Sequence, residues 1–414
     1  MFNRTYDSEF AEAAQYEEEY ENSQMFSPRF RRYAEELSDE LIATYDLPHK
    51  NVVEIGGGKG DFLRILCDRG KNFGVSFGPS YKPERVDDIP TNVRFIVDYY
   101  TEKYASEPAD LIVCRHVLEH FSSPRDLITT VRKVVNNRKD LSIYFEVPNG
   151  NFILHERAWW EFIYQHCSYF TKKSLVTLFA ECGFKVRGVR ERFGGQFLTI
   201  EACAASSDGS AKNGDCGELV ETAALCEAIG PAFNACVANW LDYFGKQRAD
   251  GRRVIVWGAG AKAVTFLNIV DPGRSVVSHV VDVNPRKVGR FIARSGQEIV
   301  EPNALRELRP HVTIVMNPIY RGEISRLWVG LGSTSNCWPP NIPEQAAATS
   351  TIFLERPTWA SQVVDRAVAM TSTLSWISGP SPYRMRCLPK QNSISLRCGF
   401  RSRWRFVRHA RYCN

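Results

Sequence analysis

The 414-residue chain has no apolar run approaching membrane-spanning length, so no transmembrane helix is predicted. Met1 to Glu21 is acidic and polar, unlike a signal or transit peptide. No cysteine precedes Cys67, and none of the twelve forms a C-x-x-C pair, the spacing that zinc sites and dithiol redox motifs need. Cys67, Cys114, Cys182 and Cys203 sit in apolar segments, where a reduced thiol packs as a small hydrophobe. Together these absences predict a cytoplasmic protein without a metal or a membrane partner. The body of the chain also lacks net positive charge. The whole carries +5, but residues 331–414 hold eleven Lys+Arg against three Asp+Glu, a net of +8, which leaves −3 for the rest. A mildly acidic body gives no electrostatic case for nucleic-acid binding.

What is present is an ordinary globular composition, with 44% hydrophobic and 24% charged residues and length enough for two domains with cores of their own. A helix is predicted from about Ser27, its N-cap, to Tyr45. Strands then alternate with amphipathic helices from Asn51 to Ala204. The strands are Val52–Ile55, Phe73–Phe77, Val93–Val97, Leu111–Cys114, Leu141–Val147, Lys185–Glu191 and Phe197–Ala202; the helices are Asp61–Asp68, Pro124–Val135 and Lys172–Cys182. Such alternation predicts an α/β fold with a mostly parallel sheet covered on both faces.

Ser206–Gly217 reads as a linker, and Glu218–Gly245 as a helix with an apolar stripe running from Leu219 through Cys226, Ile229 and Trp240 to Phe244. A second α/β unit follows, with strands Val254–Trp257, Val277–Val283 and Thr313–Asn317 and a helix at Ala261–Ile269. The expected organisation is an N-terminal helical segment over 1–48, an α/β domain over 49–205, a linker and connecting helix over 206–250, a smaller Rossmann-like domain over 251–332, and a basic, unstructured tail over 333–414. The tail's Arg401-Ser402-Arg403-Trp404-Arg405 also permits an RNA- or membrane-touching extension.

The most informative stretch is Val52-Val53-Glu54-Ile55-Gly56-Gly57-Gly58-Lys59-Gly60-Asp61, an apolar strand entering a glycine turn and then a helix. Gly56, Gly58 and Gly60 let a ligand lie against the backbone, and the helix start aims N–H groups at it. The G-x-G-x-G spacing after Glu54-Ile55 resembles the first motif of class I S-adenosylmethionine (SAM) dependent methyltransferases. That resemblance implies a SAM site including Glu54, Gly56, Gly58, Gly60, Asp98 toward the adenine amine, and Arg115, with Tyr20 closing over the cofactor. Asp110 to His120 resembles the family's fourth strand and following loop, and Phe145-Glu146-Val147-Pro148-Asn149 ends the fifth strand. Glu119 and His120 read equally well as site residues or as helix-capping groups. One departure stands out. Gly78 occupies the place where relatives carry the Asp that holds the ribose hydroxyls, so either Asp87 or Asp88 substitutes or SAM is held less tightly.

Trp159 to Thr171 crowds aromatics, a histidine and polar groups after the fifth strand. Its His-Cys-Ser-Tyr-Phe run resembles the Tyr-His-Glu-His-x-Ser-Tyr-Phe-Ser segment of sugar C-methyltransferases, which methylate the C-3 carbon of keto-deoxysugar nucleotides. Methyl transfer to carbon needs a proton removed beside a carbonyl and an enolate held, work suited to imidazole and nearby hydrogen-bond donors. The resemblance implies His166 as base, with Tyr164 and Gln165 orienting substrate or enolate; Gln165 stands where the family has Glu. From composition alone, the same segment reads as a buried aromatic cluster with one hydrogen-bonded histidine.

Val254-Ile255-Val256-Trp257-Gly258-Ala259-Gly260-Ala261-Lys262-Ala263, with Asp282 ending the next strand, is close to a dinucleotide fingerprint. By itself it fits an NAD(P)-dependent reductase. It also resembles the C-terminal domain of the sugar C-methyltransferases, which completes their substrate cleft. That resemblance implies a small-molecule, nucleotide-sugar substrate touching Asn149, His155, Gly258, Gly260 and Asp282. O- or N-methylation of another small molecule and a non-enzymatic remnant stay open. The family's cysteine-rich zinc-binding N-terminal domain has no counterpart here.

Overall fold

A computed structural model describes residues 1–3, 6–7, 21–81, 90–136, 138, 140–205, 217–330, 385–386 and 412–413. The expectations for Tyr20, Asp87, Asp88, the linker and most of the tail lie outside them. Two compact units emerge: Met1–Phe2, Phe30–Phe152 and Gln165–Cys216 form the first, and Asn3–Arg29, Ile153–Tyr164 and Gly217–Asn414 the second.

In the first unit, α1 (Pro28–Tyr45, entering from the second unit) precedes β1 (Asn51–Ile55), α2 (Asp61–Gly70), β2 (Phe73–Phe77), β3 (Val93–Ile96), β4 (Leu111–Arg115), α3 (Pro124–Val135), β5 (Ser142–Pro148), α4 (Gly150–His155, ending in the second unit), α5 (Lys172–Glu181), β6 (Phe184–Arg192) and β7 (Phe197–Ala204). The predicted strands and helices are all present, with ends displaced by a residue or two. The sheet order is β3-β2-β1-β4-β5-β7-β6, parallel from β3 to β5, with β7 antiparallel to both neighbours. Val53, Ile112, Ile143, Phe145 and Ile200 on these strands pack with Leu127, Ile128 and Val131 of α3 and Leu175 and Phe179 of α5. Each such side chain stabilises the unit by roughly 1.5–3 kcal/mol on full burial. The order in which strands are added reverses between β1 and β4, the switch point at which open α/β sheets leave a crevice beyond the strands' carboxyl ends.

In the second unit, α6 (Gly217–Ala249) runs 33 residues with Pro231 inside it, followed by β8 (Val254–Trp257), α7 (Ala261–Val270), β9 (Val277–Val281), β10 (Phe291–Ile292), β11 (Glu298–Val300), α8 (Leu305–Leu308), β12 (Val312–Val315) and α9 (Arg321–Gly330). The sheet order is β12-β8-β9-β11-β10, with Tyr412–Cys413 paired to β10 at the edge. Ser27, the expected N-cap, donates its hydroxyl to Glu323 at 2.7 Å, and the Arg29 N–H donates to the same oxygen at 2.9 Å, so a carboxylate sits at the positive end of α1.

The aromatic segment does not behave as one block. Trp159 packs on Trp160, Phe233 and Phe266 within the second unit, and its indole N–H donates to Cys236 Sγ. His166 to Phe170 belong to the first unit. Large rings gain most by joining a core, so the aromatic half takes the packing role that composition allows. Cys67, Cys114, Cys182 and Cys203 are free thiols, whereas Cys226 is disulfide-bonded. Among the described residues, no helix is long and apolar enough to cross a membrane.

Candidate active site

The turn after β1 is built from glycines held at positive φ: Gly56 at 73°, Gly58 at 55° and Gly60 at 75°. A Cβ at Gly56 would lie 2.3 Å from Val117 Cγ2, one at Gly57 2.0 Å from Glu54 Oε2, and one at Gly60 2.1 Å from the Phe95 ring. At Gly58 it would meet open space. The turn is therefore clamped on three sides and open at Gly58, a cradle for a ligand approaching the backbone and the start of α2. Beneath it Glu54 is buried, accepts from Ser76 Oγ at 3.1 Å, and is pushed by burial up to about 7.

Beside the turn, β4 ends at Arg115, and His116 follows with φ 54°, a strained conformation for a residue with a side chain. Arg115 donates through Nε and Nη2 to Glu146 Oε1 at 3.0 and 2.7 Å, and its guanidinium lies 4.2 Å from the Phe62 ring centroid. Tyr33 donates to the other oxygen of Glu146, and His116 Nε2 lies 2.9 Å from Oε1. Burial works to raise the Glu146 carboxyl, but Arg115 and His116 outweigh it and hold it down at about 2. For His116, burial pulls down, while Glu119 and Glu146 prevail and raise it to about 9, an effect tempered by the 28% of its side chain left exposed.

Next along the loop, the Glu119 carbonyl accepts the N–H groups of Cys167 at 2.7 Å and Ser168 at 3.1 Å, and Cys167 Sγ donates to the His120 carbonyl. These bonds tie the segment bearing His166 to the loop beyond β4. The His120 ring stands 4.9 Å from the His166 ring, edge to face, and its Nδ1 donates to the Gln165 carbonyl at 3.1 Å. One ligand atom each from Glu119, His120 and His166 lie within 4.8 Å of one another, the group of described residues whose side chains converge closely enough to hold a metal ion. His166 is buried, which lowers it to about 3 with His120 adding to the effect, so the ring is neutral at pH 7.

The other expected site residues are placed as follows. Asp98 follows β3 and accepts from Tyr99 N at 2.8 Å, Tyr104 OH at 2.6 Å and Lys103; the Lys103 and Tyr104 hydrogen bonds hold its carboxyl down at about 2. Asn149 uses its amide within the fold, donating to the Gly195 carbonyl at 2.8 Å and accepting from Asn151 N at 3.0 Å. Tyr164 belongs to the second unit, where its hydroxyl accepts from Asp7 N at 3.1 Å. His155 Nε2 lies 3.8 Å from Glu221 there.

In the second glycine loop, Gly258 has φ 105°, whereas Gly260 is extended with open space around it. Asp282 accepts from Ala259 N at 2.7 Å, Asn284 N at 2.8 Å and Lys287 Nζ at 3.3 Å. The carboxylate and the loop N–H that a dinucleotide would engage thus satisfy each other.

Residues 25–189 match the family model described as a methyltransferase domain, and residues 220–328 match that of a C-methyltransferase C-terminal domain. The chain is a class I SAM-dependent methyltransferase resembling the C-methyltransferases. No curated protein sequence matches this methyltransferase. Solved structures similar to it include magnesium protoporphyrin IX methyltransferase of Synechocystis PCC 6803 with bound S-adenosylhomocysteine, 14% identical, covering 49% of this chain and 96% of that one at a TM-score of 0.34. The 1,6-didemethyltoxoflavin-N1-methyltransferase of Burkholderia thailandensis is 15% identical, covering 42% and 79% at 0.32. The cyclopropane synthase of Mycobacterium tuberculosis is 16% identical, covering 37% and 62% at 0.29. Likenesses this distant bear on no chemistry.

The open cradle at Gly58, flanked by the end of β2 and the start of α2, fits the methyltransferase's cofactor. Gly78 N donates to the Ile96 carbonyl, and the nearest atom to a Cβ there is Gly56 Cα at 3.8 Å, so Gly78 stands against the turn with room for a Cβ. Sequence reasoning passed over Tyr33, His116 and the inward role of Glu146. The available signal was a charge inside the otherwise apolar Tyr144-Phe145-Glu146-Val147 run.

Proposed function

We propose that the protein C-methylates a small carbonyl compound, a nucleotide-activated keto-deoxysugar being the class in view, with His166 as general base and Tyr164 and Gln165 orienting substrate or enolate. One chain of contacts carries this reading: Gly56 abuts Val117, and two residues on the Glu119 carbonyl holds Cys167 and Ser168 beside His166. These contacts support a reading in which the cofactor turn and the imidazole serve the same end of one sheet. When bound, SAM supplies a methyl group made electrophilic by a sulfonium.

The protein's own part is to hold the acceptor in line, remove a proton beside its carbonyl and keep water away. A neutral, buried His166 offers a lone pair for that proton. The commitment of Asp282 to Ala259 and Asn284 supports a substrate-side or structural role for the second glycine loop over nicotinamide binding. Free thiols at Cys67, Cys114 and Cys203 support a cytoplasmic setting, and the Cys226 disulfide weighs against it.

Calorimetry on the full chain tests the reading first: SAM binds and NADH does not, and the reverse result would move the protein to the reductases. A screen of nucleotide-activated keto-sugars with a radiolabelled methyl donor then identifies the acceptor. His166→Ala is expected to lower turnover roughly 10²–10⁴-fold with SAM affinity retained, the range of one general base. Unchanged turnover would remove His166 from that role.

A further inference from the structure

We propose that Glu119 is the positioning residue of His166: its carboxylate takes the Nδ1–H, fixing the tautomer whose Nε2 lone pair faces the acceptor. The inference rests on the reading of His166 as base. It starts from two buried polar atoms that have no hydrogen-bond partner, His166 Nδ1 and Glu119 Oε2. His166 is 9% exposed and Glu119 1%, so neither atom is compensated by water. One is a ring nitrogen able to donate, the other a carboxylate oxygen able only to accept.

The neighbours leave each to the other. Oε1 of Glu119 faces His116 Nδ1 at 3.7 Å, which leaves Oε2 unclaimed. His120 donates its Nδ1–H to a carbonyl, which can only accept, so in its neutral form Nε2 is a lone pair and cannot serve Oε2. Gln165 beside His166 is neutral and provides no carboxylate. One carboxylate oxygen of Glu119 and one ring nitrogen of His166 lie within 4.8 Å of each other, and the bonds from Cys167 N and Ser168 N to the Glu119 carbonyl fix the two backbones against each other. A side-chain adjustment closes the remaining gap, as loosely set catalytic hydrogen bonds tighten when substrate arrives.

The consequence is the logic of a base held by a third group. With Nδ1–H on a carboxylate, the proton taken from the acceptor arrives at Nε2, and the resulting imidazolium is stabilised by a negative charge that burial alone would deny it. Burial tends to raise Glu119, but the hydrogen bond from His116 leads the interactions that hold it low.

The same three side chains could instead hold a divalent ion, with one ring nitrogen of His166 as a ligand, and one experiment separates the cases. Full-length protein labelled with nitrogen-15 histidine and stripped with EDTA is studied by long-range proton–nitrogen NMR at pH 7.5, with His166 assigned by its loss in His166→Gln. The expected spectrum has a protonated, pyrrole-type Nδ1 and a pyridine-type Nε2. Glu119→Asp keeps that pattern, and Glu119→Leu, which removes the acceptor, shifts Nδ1 to the pyridine type. The opposite tautomer in the unsubstituted protein overturns the proposal even where a variant fails to fold, as does an unchanged pattern in a folded Glu119→Leu. Binding of one Zn²⁺ per chain that displaces the His166 signals and is lost in Glu119→Gln overturns it in favour of a metal site. Absence of SAM binding in calorimetry sinks the methyltransferase reading alone and leaves the tautomer result standing.

Discussion

At Gly60 a methyl group would lie 2.1 Å from the Phe95 ring, on a backbone with φ 75° that side chains disfavour. Gly60→Ala must therefore move the ring or the turn. We expect it to cost on the order of 1–3 kcal/mol in stability and at least tenfold in SAM affinity, measured by chemical denaturation and calorimetry. Gly78 is the opposite case. It lacks a positive φ, and a Cβ there would make only ordinary van der Waals contact, 3.8 Å from Gly56 Cα. Gly78→Asp is expected to fold and to tighten SAM binding about tenfold, because a carboxylate at the end of β2 accepts from ribose hydroxyls. Unchanged affinity would place the ribose elsewhere. Both glycines were visible as letters, but which of them has room is a property of neighbours from other strands.

Among the elements, the ends of β4 and β5 hold the densest buried charge. Glu146 is fully buried and gathers Arg115, His116 and Tyr33 around one carboxylate. Removing its charge strands the Arg115 guanidinium, 8% exposed, without its counter-ion. Glu146→Gln should destabilise the first unit by about 3–5 kcal/mol, the usual result of breaking a buried pair from one side. Tyr33→Phe removes a single hydrogen bond to a charge and should cost about 1.5–3 kcal/mol. Equal small losses in both would show that solvent reaches the cluster. The strands themselves were legible because β4 and β5 are continuous apolar runs of the kind a parallel sheet buries on both faces. The partner of Glu146 was not, since Arg115 and Tyr33 are 31 and 113 positions away in sequence.

For the molecule as a whole, the titrating groups of the first unit set a pH optimum. His116, raised to about 9, contributes stability in full below its unfolded value near 6.5, and this is lost as pH rises through 9. Glu146, held at about 2, contributes in full above roughly 4.3 and loses it as pH falls toward 2. His166, lowered to about 3, resists charging, so stability also declines as pH drops below about 6.5. Glu54, raised to about 7, loses its contribution as pH rises from roughly 4.3 through 7 and so offsets the His166 limb. Stability of the first unit should therefore hold a plateau between about pH 4.3 and 6.5 and fall on both sides, with the alkaline limb flattened in His116→Asn. Trp159, Trp160, Trp240, Trp257 and Trp328 all lie in the second unit, so their fluorescence follows that unit. Hydrogen exchange of β1, β4 and β5, corrected for its intrinsic pH dependence, is the measurement required, and a flat profile would refute the assignment. What the sequence determined by itself was the local pattern: apolar strands at β1 to β5, a glycine turn after Glu54-Ile55, and helices beginning at Asp61, Pro124 and Lys172. Backbone conformation and periodic burial are set by neighbouring residues, so they can be read in order along the chain. Only the tertiary structure decided that Asp282 turns inward to its own loop, that Trp159 packs with Phe233 and Phe266 while His166 joins Glu119 and His120, and that a Cβ is tolerated at Gly78 but not at Gly60. Those outcomes depend on which distant atoms compete for the same hydrogen bond or the same volume, and chain closure alone brings them together.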